Sequence, residues 1–420
     1  MKTKYDYLPR ERANELIKVL CDLIKIDSSN PPGREREAAD YIAALLAAEG
    51  IPSEIYENAE GRSNLYARLG GGEGKPVLLL SHIDVVPAPG EWRHPPFEAR
   101  IEDGIIYGRG ALDTKHLTAM ELMSMIWLKR DGFLPEVPIA LWASADEEAG
   151  SGHGMDFVAK EYPDLTDVTA TISEGGGFII KQGALTLRTC TCGEKGTLKA
   201  KIQLEAGDHE NSLDAKASTA YKTLTVLKDL TGYEAPETFT GPTRRFLEAC
   251  GGVVEDSTLK RLWEYSTRDC LFIDGHELRF GGGESLTLGI SYQFLHGAER
   301  SGIESLLSEL LKNSGAAFET TDFADGYECE IDHPLLRELE TVSGALDPGV
   351  RLLPMLALGK TDGRFIGKNV YGYSPMLGDI PFSQVLKKVH QTDECISEAS
   401  LCFGAAVIFE TLKRVCSRAC

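Results

Sequence analysis

The sequence lacks any apolar run close to the about 18 residues that a membrane-spanning helix needs. Its first residues contain no apolar stretch that resembles a secretory signal. Cysteine is scarce, with 10 residues in a chain of 420, so a disulfide-stabilised scaffold is not indicated. We therefore expect a cytoplasmic protein with reduced thiols and no membrane partner.

Basic residues are in the minority. The chain has 44 lysine and arginine residues against 64 aspartate and glutamate residues, which gives a formal net charge of −20. A surface this acidic repels phosphate groups, so we expect no nucleic-acid partner. The length of 420 residues suggests two or three domains, at roughly 150 residues for each.

Short apolar runs alternate with helical segments over much of the chain, which is typical of an α/β fold. Two of these runs, 77–80 and 139–142, show little alternation with polar residues. Such runs suit strands that are buried on both faces of a parallel sheet. The pattern therefore predicts an α/β domain with a mostly parallel central sheet.

The pattern changes near residue 194. Two strand–helix units follow, at 197–230 and 285–313, and the segment 232–283 between them is less regular and resembles an insertion. We therefore predict that residues 194–331 form a smaller α+β domain. It would interrupt the larger domain, which comprises residues 1–193 and 332–420.

Acidic and histidine side chains recur where the predicted strands of the larger domain end. They are His82 with Asp84, Asp113 in a glycine-rich loop before a helix, Glu147 with Glu148, and Glu174. One acid at a strand end is usually a helix cap. Several in succession favour a shared site, because ligands bind beyond the carboxyl ends of the strands in an open α/β sheet.

These residue types suit a metal site. Histidine and carboxylate side chains are ligands of Zn²⁺, and a two-metal site needs one carboxylate to bridge the ions. His82, Asp113, Glu148 and Glu174 give four ligands, and His390 is the best remaining candidate for a fifth.

Several motifs resemble the co-catalytic zinc peptidases and amidohydrolases. That family includes glutamate carboxypeptidase, aminoacylase, acetylornithine deacetylase and succinyl-diaminopimelate desuccinylase. The motifs, which follow one another along nearly the whole chain, are 81–87 (SHIDVVP), 103–115 (DGIIYGRGALDTK), 146–148 (DEE), 173–176 (SEGG), 359–366 (GKTDGRFI) and 390–394 (HQTDE). The run from Trp92 to Lys115 looks most like the carboxypeptidase S and N-acyl amino acid hydrolase branch.

The resemblance implies two divalent metal ions, with Zn²⁺ as the default and Co²⁺ or Mn²⁺ as alternatives that fit the same ligands. Asp113 would bridge the ions. His82 and Glu174 would complete one site, and Glu148 and His390 would complete the other.

The resemblance also implies roles for four further residues. Asp84 would orient His82, and Glu147 would be the general base that takes a proton from the metal-held water. His209 resembles a lid histidine that reaches the active site of the partner subunit, which would require a homodimer. Arg364 lies where the family binds a substrate carboxylate, although a surface arginine remains the alternative.

In the smaller domain predicted at 194–331, which would form a lid over the site, the chain departs from the family. It has Phe280–Glu284 where an Asn-x-Ile-Pro turn is usual, and Gln293 where an arginine is common. Gln293 cannot supply the positive charge that a substrate carboxylate would meet. The substrate is therefore held by Arg364 alone or lacks a carboxylate.

These observations predict a metal-dependent hydrolase that cleaves an amide or peptide bond of N-acyl amino acids or small peptides. One alternative is a biosynthetic deacylase of the acetylornithine or succinyl-diaminopimelate type. A non-catalytic relative that binds metal or metabolite is the other, but such a protein would be expected to have lost a ligand or Glu147.

Overall fold

The structure is a computed structural model and describes residues 3–72, 74–205, 219–279, 285–385 and 387–417. The helices are α1 (Arg10–Lys25), α2 (Arg36–Ala48), α3 (Lys115–Arg130), α4 (Met155–Glu161), α5 (Thr219–Thr231), α6 (Gly241–Ala249), α7 (Ser257–Thr267), α8 (Arg300–Leu311), α9 (Pro334–Leu346), α10 (Phe382–Val385) and α11 (Glu398–Val415). Within these ranges, none of the helices has the length and hydrophobicity that crossing a bilayer requires.

The strands fall into a large sheet and three smaller ones. They are β1 (Ser53–Glu57), β2 (Ser63–Leu69), β3 (Val77–His82), β4 (Arg100–Glu102), β5 (Ile105–Tyr107), β6 (Ile139–Ser144), β7 (Ala170–Ser173), β8 (Ile179–Gln182), β9 (Leu185–Thr191), β10 (Gly193–Glu194), β11 (Gly196–Glu205), β12 (Cys270–Arg279), β13 (Ser285–Phe294), β14 (Ala317–Ala324), β15 (Tyr327–Glu328), β16 (Val350–Met355), β17 (Val370–Gly372) and β18 (Cys395–Ser397).

The large sheet has the order β1-β2-β6-β3-β7-β17-β9-β16, with β8 paired to β9. The four central strands, β6, β3, β7 and β17, are parallel to one another. Strands β1 and β2 add antiparallel pairs at one edge, and β9 runs antiparallel to β17. The predicted α/β fold with a parallel central sheet is therefore confirmed.

The burial of the central strands agrees with their unbroken apolar sequence. Every residue of β3 and of β6 is buried, as the apolar runs predict for strands covered on both faces. Helix α3 packs against α1 and α11, and nearly all of its residues are buried. The main core therefore surrounds α3 and fixes where this helix begins, just after Asp113.

The second sheet has the order β12-β13-β11-β14 and is antiparallel throughout. Alternate residues of β11, such as Leu198 and Ile202, form a core of their own with α5 and α8, whereas Lys199 and Lys201 are exposed. In the two predicted strand–helix units, 197–230 and 285–313, the strands are β11 and β13 and the helices are α5 and α8.

Segment 232–283 is more regular than the sequence indicates. It contains α6, α7 and β12. Strand β12 pairs with β13 in the second sheet, but Phe246 of α6 and Leu259 of α7 share a core with Leu353 of β16 in the large sheet. The division at residues 194 and 331 stays a prediction, and part of the intervening chain packs on the larger sheet.

Candidate metal centre

Three neighbouring strands bring most of the predicted ligands to one edge of the large sheet. Strand β3 ends at His82, the turn with Glu147 and Glu148 follows β6, and Glu174 directly follows β7. The three strands lie side by side and are parallel, with His82 paired to Ser144. Their carboxyl ends therefore meet at the same edge.

Asp113 connects two groups of these side chains. Its Oδ1 lies 3.2 Å from His82 Nε2, and its Oδ2 lies 3.0 Å from His390 Nε2. Glu174 Oε2 lies 3.5 Å from His82 Nε2, on the first side. Glu148 Oε2 lies 3.1 Å from His390 Nε2, on the second. The structure thus brings all five predicted ligands together, in two groups that share Asp113.

The donor set fits divalent metal ions. Ligand atoms of His82, Asp113 and Glu148 lie within 4.8 Å of one another, and so do those of His82, Glu147 and Glu174. Glu148 Oε1 is buried and has no hydrogen-bond partner among the described residues. Because an unpaired buried acceptor is costly, a cation at this oxygen would stabilise the site. Histidine nitrogens and carboxylate oxygens are ligands that suit zinc and its neighbours.

Charges and hydrogen bonds within the cluster shift the pKa values of its side chains. Burial lowers the pKa of His82, but the charge of Glu174 and the hydrogen bond to Asp113 outweigh it and raise the pKa well above its usual value. Hydrogen bonds to Asp113 and Glu148 raise the pKa of His390 to about 10. Burial raises the pKa of Asp113, whereas its hydrogen bonds to His390 and His82 reverse that effect and lower it.

Glu147 lies beside the first ligand group, and one of its oxygens is within 4.8 Å of ligand atoms of His82 and Glu174. Burial raises its pKa well above the usual value, and the negative charge of Glu174 adds to the shift. A carboxylate with raised proton affinity next to a metal cluster can accept a proton near neutral pH.

Asp84 contacts more than His82. Its backbone carbonyl oxygen lies 3.0 Å from His82 Nδ1, and its carboxylate Oδ1 lies 3.5 Å from the same nitrogen. The carboxylate also accepts hydrogen bonds from the side-chain amide of Asn30 and from the backbone N–H groups of Glu147 and Glu148. Asp84 therefore holds the backbone of the Glu147–Glu148 turn, a contact that the motif alone did not indicate.

A buried ion cluster supports the same turn. Arg62 donates to both carboxylate oxygens of Glu35 and to Asp146, the residue before Glu147. Asn30 bridges Asp146 and Asp84 with two hydrogen bonds of 2.9 Å. Sequence reasoning missed Asn30, Arg62 and Glu35, because each lies far along the chain from the residues that it supports.

Arg364, the residue predicted to bind substrate, is not among the side chains of the ligand cluster. Arg364 occupies a 3₁₀ turn, Asp362–Phe365, and donates to the carbonyl oxygen of Thr361 and to Ser151 Oγ. Gln293 Oε1 accepts a hydrogen bond of 3.3 Å from Tyr265. His209 and Phe280–Glu284 lie outside the described residues.

Residues 78–414 match the family model of peptidase family M20/M25/M40. A probable succinyl-diaminopimelate desuccinylase of Staphylococcus aureus is 31% identical over 185 residues, which cover 43% of this chain and 45% of that protein. The chain therefore spans less than half of the length of this curated relative.

Two solved structures have a similar fold. A metallo-carboxypeptidase of the M20 family from Sulfolobus solfataricus has a TM-score of 0.72 at 18% identity and covers 95% of this chain and 98% of its own. A dinuclear metal-binding peptidase of the M20 family from Bacillus subtilis has a TM-score of 0.65 at 14% identity and covers 98% of this chain and 100% of its own.

Proposed function

Because the chain belongs to peptidase family M20/M25/M40, we propose that it is a metal-dependent hydrolase. Its substrate is an N-acyl amino acid or a small peptide, and the bond that it cleaves is an amide bond. The observation that carries this proposal is the arrangement at Asp113, whose two carboxylate oxygens face His82 and His390 separately. A carboxylate with a histidine on each side can bridge two ions, an arrangement that suits a two-metal hydrolytic site.

The five ligands would hold two divalent ions, and we assign zinc as the ion, with cobalt and manganese as ions of similar ligand preference. One ion would lie between Asp113, His82 and Glu174, and the other between Asp113, Glu148 and His390. When bound, the ions polarise the scissile carbonyl group and lower the pKa of the attacking water.

Glu147 supplies the proton transfers in this proposal. It accepts a proton from the attacking water and passes it to the leaving amine. Its raised pKa, which burial and the charge of Glu174 cause, supports this role because proton transfer is efficient when the pKa lies near the working pH. The backbone hydrogen bonds from the turn to Asp84 keep Glu147 facing the ligand groups.

The substrate would be held on the side of Arg364. This guanidinium group donates to Thr361 O and Ser151 Oγ and has further N–H groups that can donate to a carboxylate. The smaller domain would close over the substrate and exclude water. His209 would then act across a homodimer, as the family resemblance implies.

A biosynthetic desuccinylase is the second candidate. The match to a probable succinyl-diaminopimelate desuccinylase, at 31% identity over 185 residues, favours it. That substrate class and the N-acyl amino acids share the amide bond that the metal site would cleave. The two candidates therefore differ in what the binding residues accept, and a substrate panel distinguishes them.

The first test is hydrolysis of a panel of N-acyl amino acids, dipeptides and succinyl-diaminopimelate, with and without a chelator. The variant Glu147→Gln should reduce kcat by about 10²–10⁴-fold, because it removes the general base but keeps the shape of the side chain. Chelation should abolish turnover, and Zn²⁺ should restore it.

The exposed Glu98 gives a matched control, since Glu98→Gln makes the same chemical change away from the ligand cluster. Its kcat should equal that of the unmodified protein. Turnover that survives Glu147→Gln, or that does not depend on metal, contradicts the proposed function.

A further inference from the structure

Glu394 is a fully buried carboxylate between the two loops that carry Asp113 and His390. Its Oε1 accepts hydrogen bonds from the backbone N–H groups of Leu112, at 2.7 Å, and Asp113, at 2.9 Å. Its Oε2 accepts a hydrogen bond of 2.7 Å from Arg109, which is itself buried. Both oxygens are therefore engaged, and one of them holds the backbone of the bridging ligand.

The backbone around Glu394 joins the same two loops. Strand β18 follows Glu394 directly and pairs antiparallel with β5. The carbonyl oxygen of Glu394 accepts a hydrogen bond of 3.0 Å from Gly108 N–H, just beyond β5. His390 lies four residues before Glu394, so the segment that carries His390 is connected to the Asp113 loop through Glu394 and β18.

Different parts of the fold thus hold the two ligand groups in place. His82 and Glu174 lie at the ends of β3 and β7, which pair directly in the large sheet. His390 lies in no strand or helix, and its ring is about half exposed, at 48%. Its distance from Asp113 depends on the connection that Glu394 makes.

We propose that Glu394 is a positioning residue for the metal ion held between Asp113, Glu148 and His390. This inference rests on the proposed function insofar as it requires a two-metal site. It predicts that the binding of this ion is weakened more than that of the other when Glu394 changes, because both ions share Asp113 but only this one also needs His390, whereas the sheet holds His82 and Glu174.

The test is a calorimetric titration of metal-free protein with Zn²⁺. In Glu394→Gln, the amide oxygen can still accept the hydrogen bonds from the backbone N–H groups of Leu112 and Asp113. The amide NH₂ group then faces the guanidinium of Arg109, so two hydrogen-bond donors face each other. We expect one Zn²⁺ to bind about 10–100-fold more weakly, which is the usual effect of losing a group that orients a ligand. The other Zn²⁺, which shares Asp113 but not His390, should be weakened less.

Glu194 offers a matched control. It is also a buried glutamate, and its Oε2 accepts hydrogen bonds from the backbone N–H and the hydroxyl group of Thr361. The loop that it holds carries none of the five ligands, so Glu194→Gln should leave both affinities for Zn²⁺ unchanged. The thermal unfolding of each metal-free variant reports any general loss of stability.

A second variant keeps the inference testable if Glu394→Gln does not fold. Adding Arg109→Met to Glu394→Gln removes the opposing donor, so the double variant should recover part of the lost affinity at the weakened site. Equal weakening of both Zn²⁺ sites, or no weakening of either, overturns the inference. The readout is binding, so a protein that shows the split affinities and hydrolyses no amide contradicts the proposed function alone.

Discussion

His390 faces two carboxylates from a turn that is open to solvent. Its Nε2 lies 3.0 Å from Asp113 Oδ2 and 3.1 Å from Glu148 Oε2. These hydrogen bonds raise the pKa of His390 to about 10, so the metal-free ring is protonated at neutral pH. A metal ion that binds here must displace that proton, since only the neutral imidazole is a ligand.

Metal binding should therefore release a proton from His390. Between pH 7 and 9 the affinity for this ion should rise by about tenfold per pH unit, because the pH stays below the raised pKa. Calorimetry at one pH in two buffers of different ionisation enthalpy measures the protons released. His390→Asn should release about one proton fewer, and heats that do not depend on the buffer would contradict this assignment.

At the scale of elements, a buried ion cluster joins three segments behind the metal site. Glu35 immediately precedes α2, Arg62 immediately precedes β2, and Asp146 lies between β6 and the Glu147 turn. The side chains of Glu35, Arg62 and Asp146 are at most 10% exposed. Asp146 has a φ of 63°, a left-handed conformation that its hydrogen bonds help to hold.

Removing the cation of this cluster should destabilise the protein strongly. Arg62→Met leaves the carboxylates of Glu35 and Asp146 buried without their counter-ion, which typically costs about 3–5 kcal/mol. Denaturant unfolding at pH 8 measures the loss. The loss should shrink as the pH falls, because the unpaired acids can then take up protons.

The neighbouring Arg36 provides the control. It forms an exposed pair with Asp40 on α2, and exposed pairs contribute little to stability. Arg36→Met should leave the unfolding midpoint nearly unchanged. Equal effects of Arg62→Met and Arg36→Met would show that the buried cluster does not support the turn.

At the scale of the whole molecule, two segments of the chain run side by side between the large sheet and the second sheet. Strand β10 pairs with β15, and β11 and β14 continue from them into the second sheet. A Cβ on Gly326 would lie 2.2 Å from the carbonyl oxygen of Glu194, so only glycine permits this close approach. The two segments are therefore in direct backbone contact at Glu194 and Gly326, with no side chain between them.

The proposed homodimer is tested by mixing two inactive variants. If His209 acts across subunits, Glu147→Ala and His209→Ala chains that exchange should form sites with both residues intact. Random pairing then restores about a quarter of the activity, since half of the dimers are mixed and each contains one complete site. A fully active monomer in light scattering, or no recovered activity on mixing, would contradict a homodimer in which His209 acts across subunits.

Much of the framework was predictable because its signals are local. The apolar runs at 77–80 and 139–142 lie within β3 and β6, as their lack of polar alternation predicted. The family match to residues 78–414 confirms the resemblance that the motifs indicated. Helices α6 and α7 were missed, because each is short and its apolar face is too brief to give a clear period.

The sequence by itself placed His82, Glu148 and Glu174 at or just beyond strand ends, and it added Asp113 and His390 as further ligand candidates. Parallel strands must bring their carboxyl ends together, so the shared edge followed from the pattern. Only the tertiary structure decided which oxygen of Asp113 faces which histidine. It also decided the partners of Glu394, since Arg109 and Glu394 are 285 positions apart. Such contacts depend on how distant elements pack, and no local pattern encodes that.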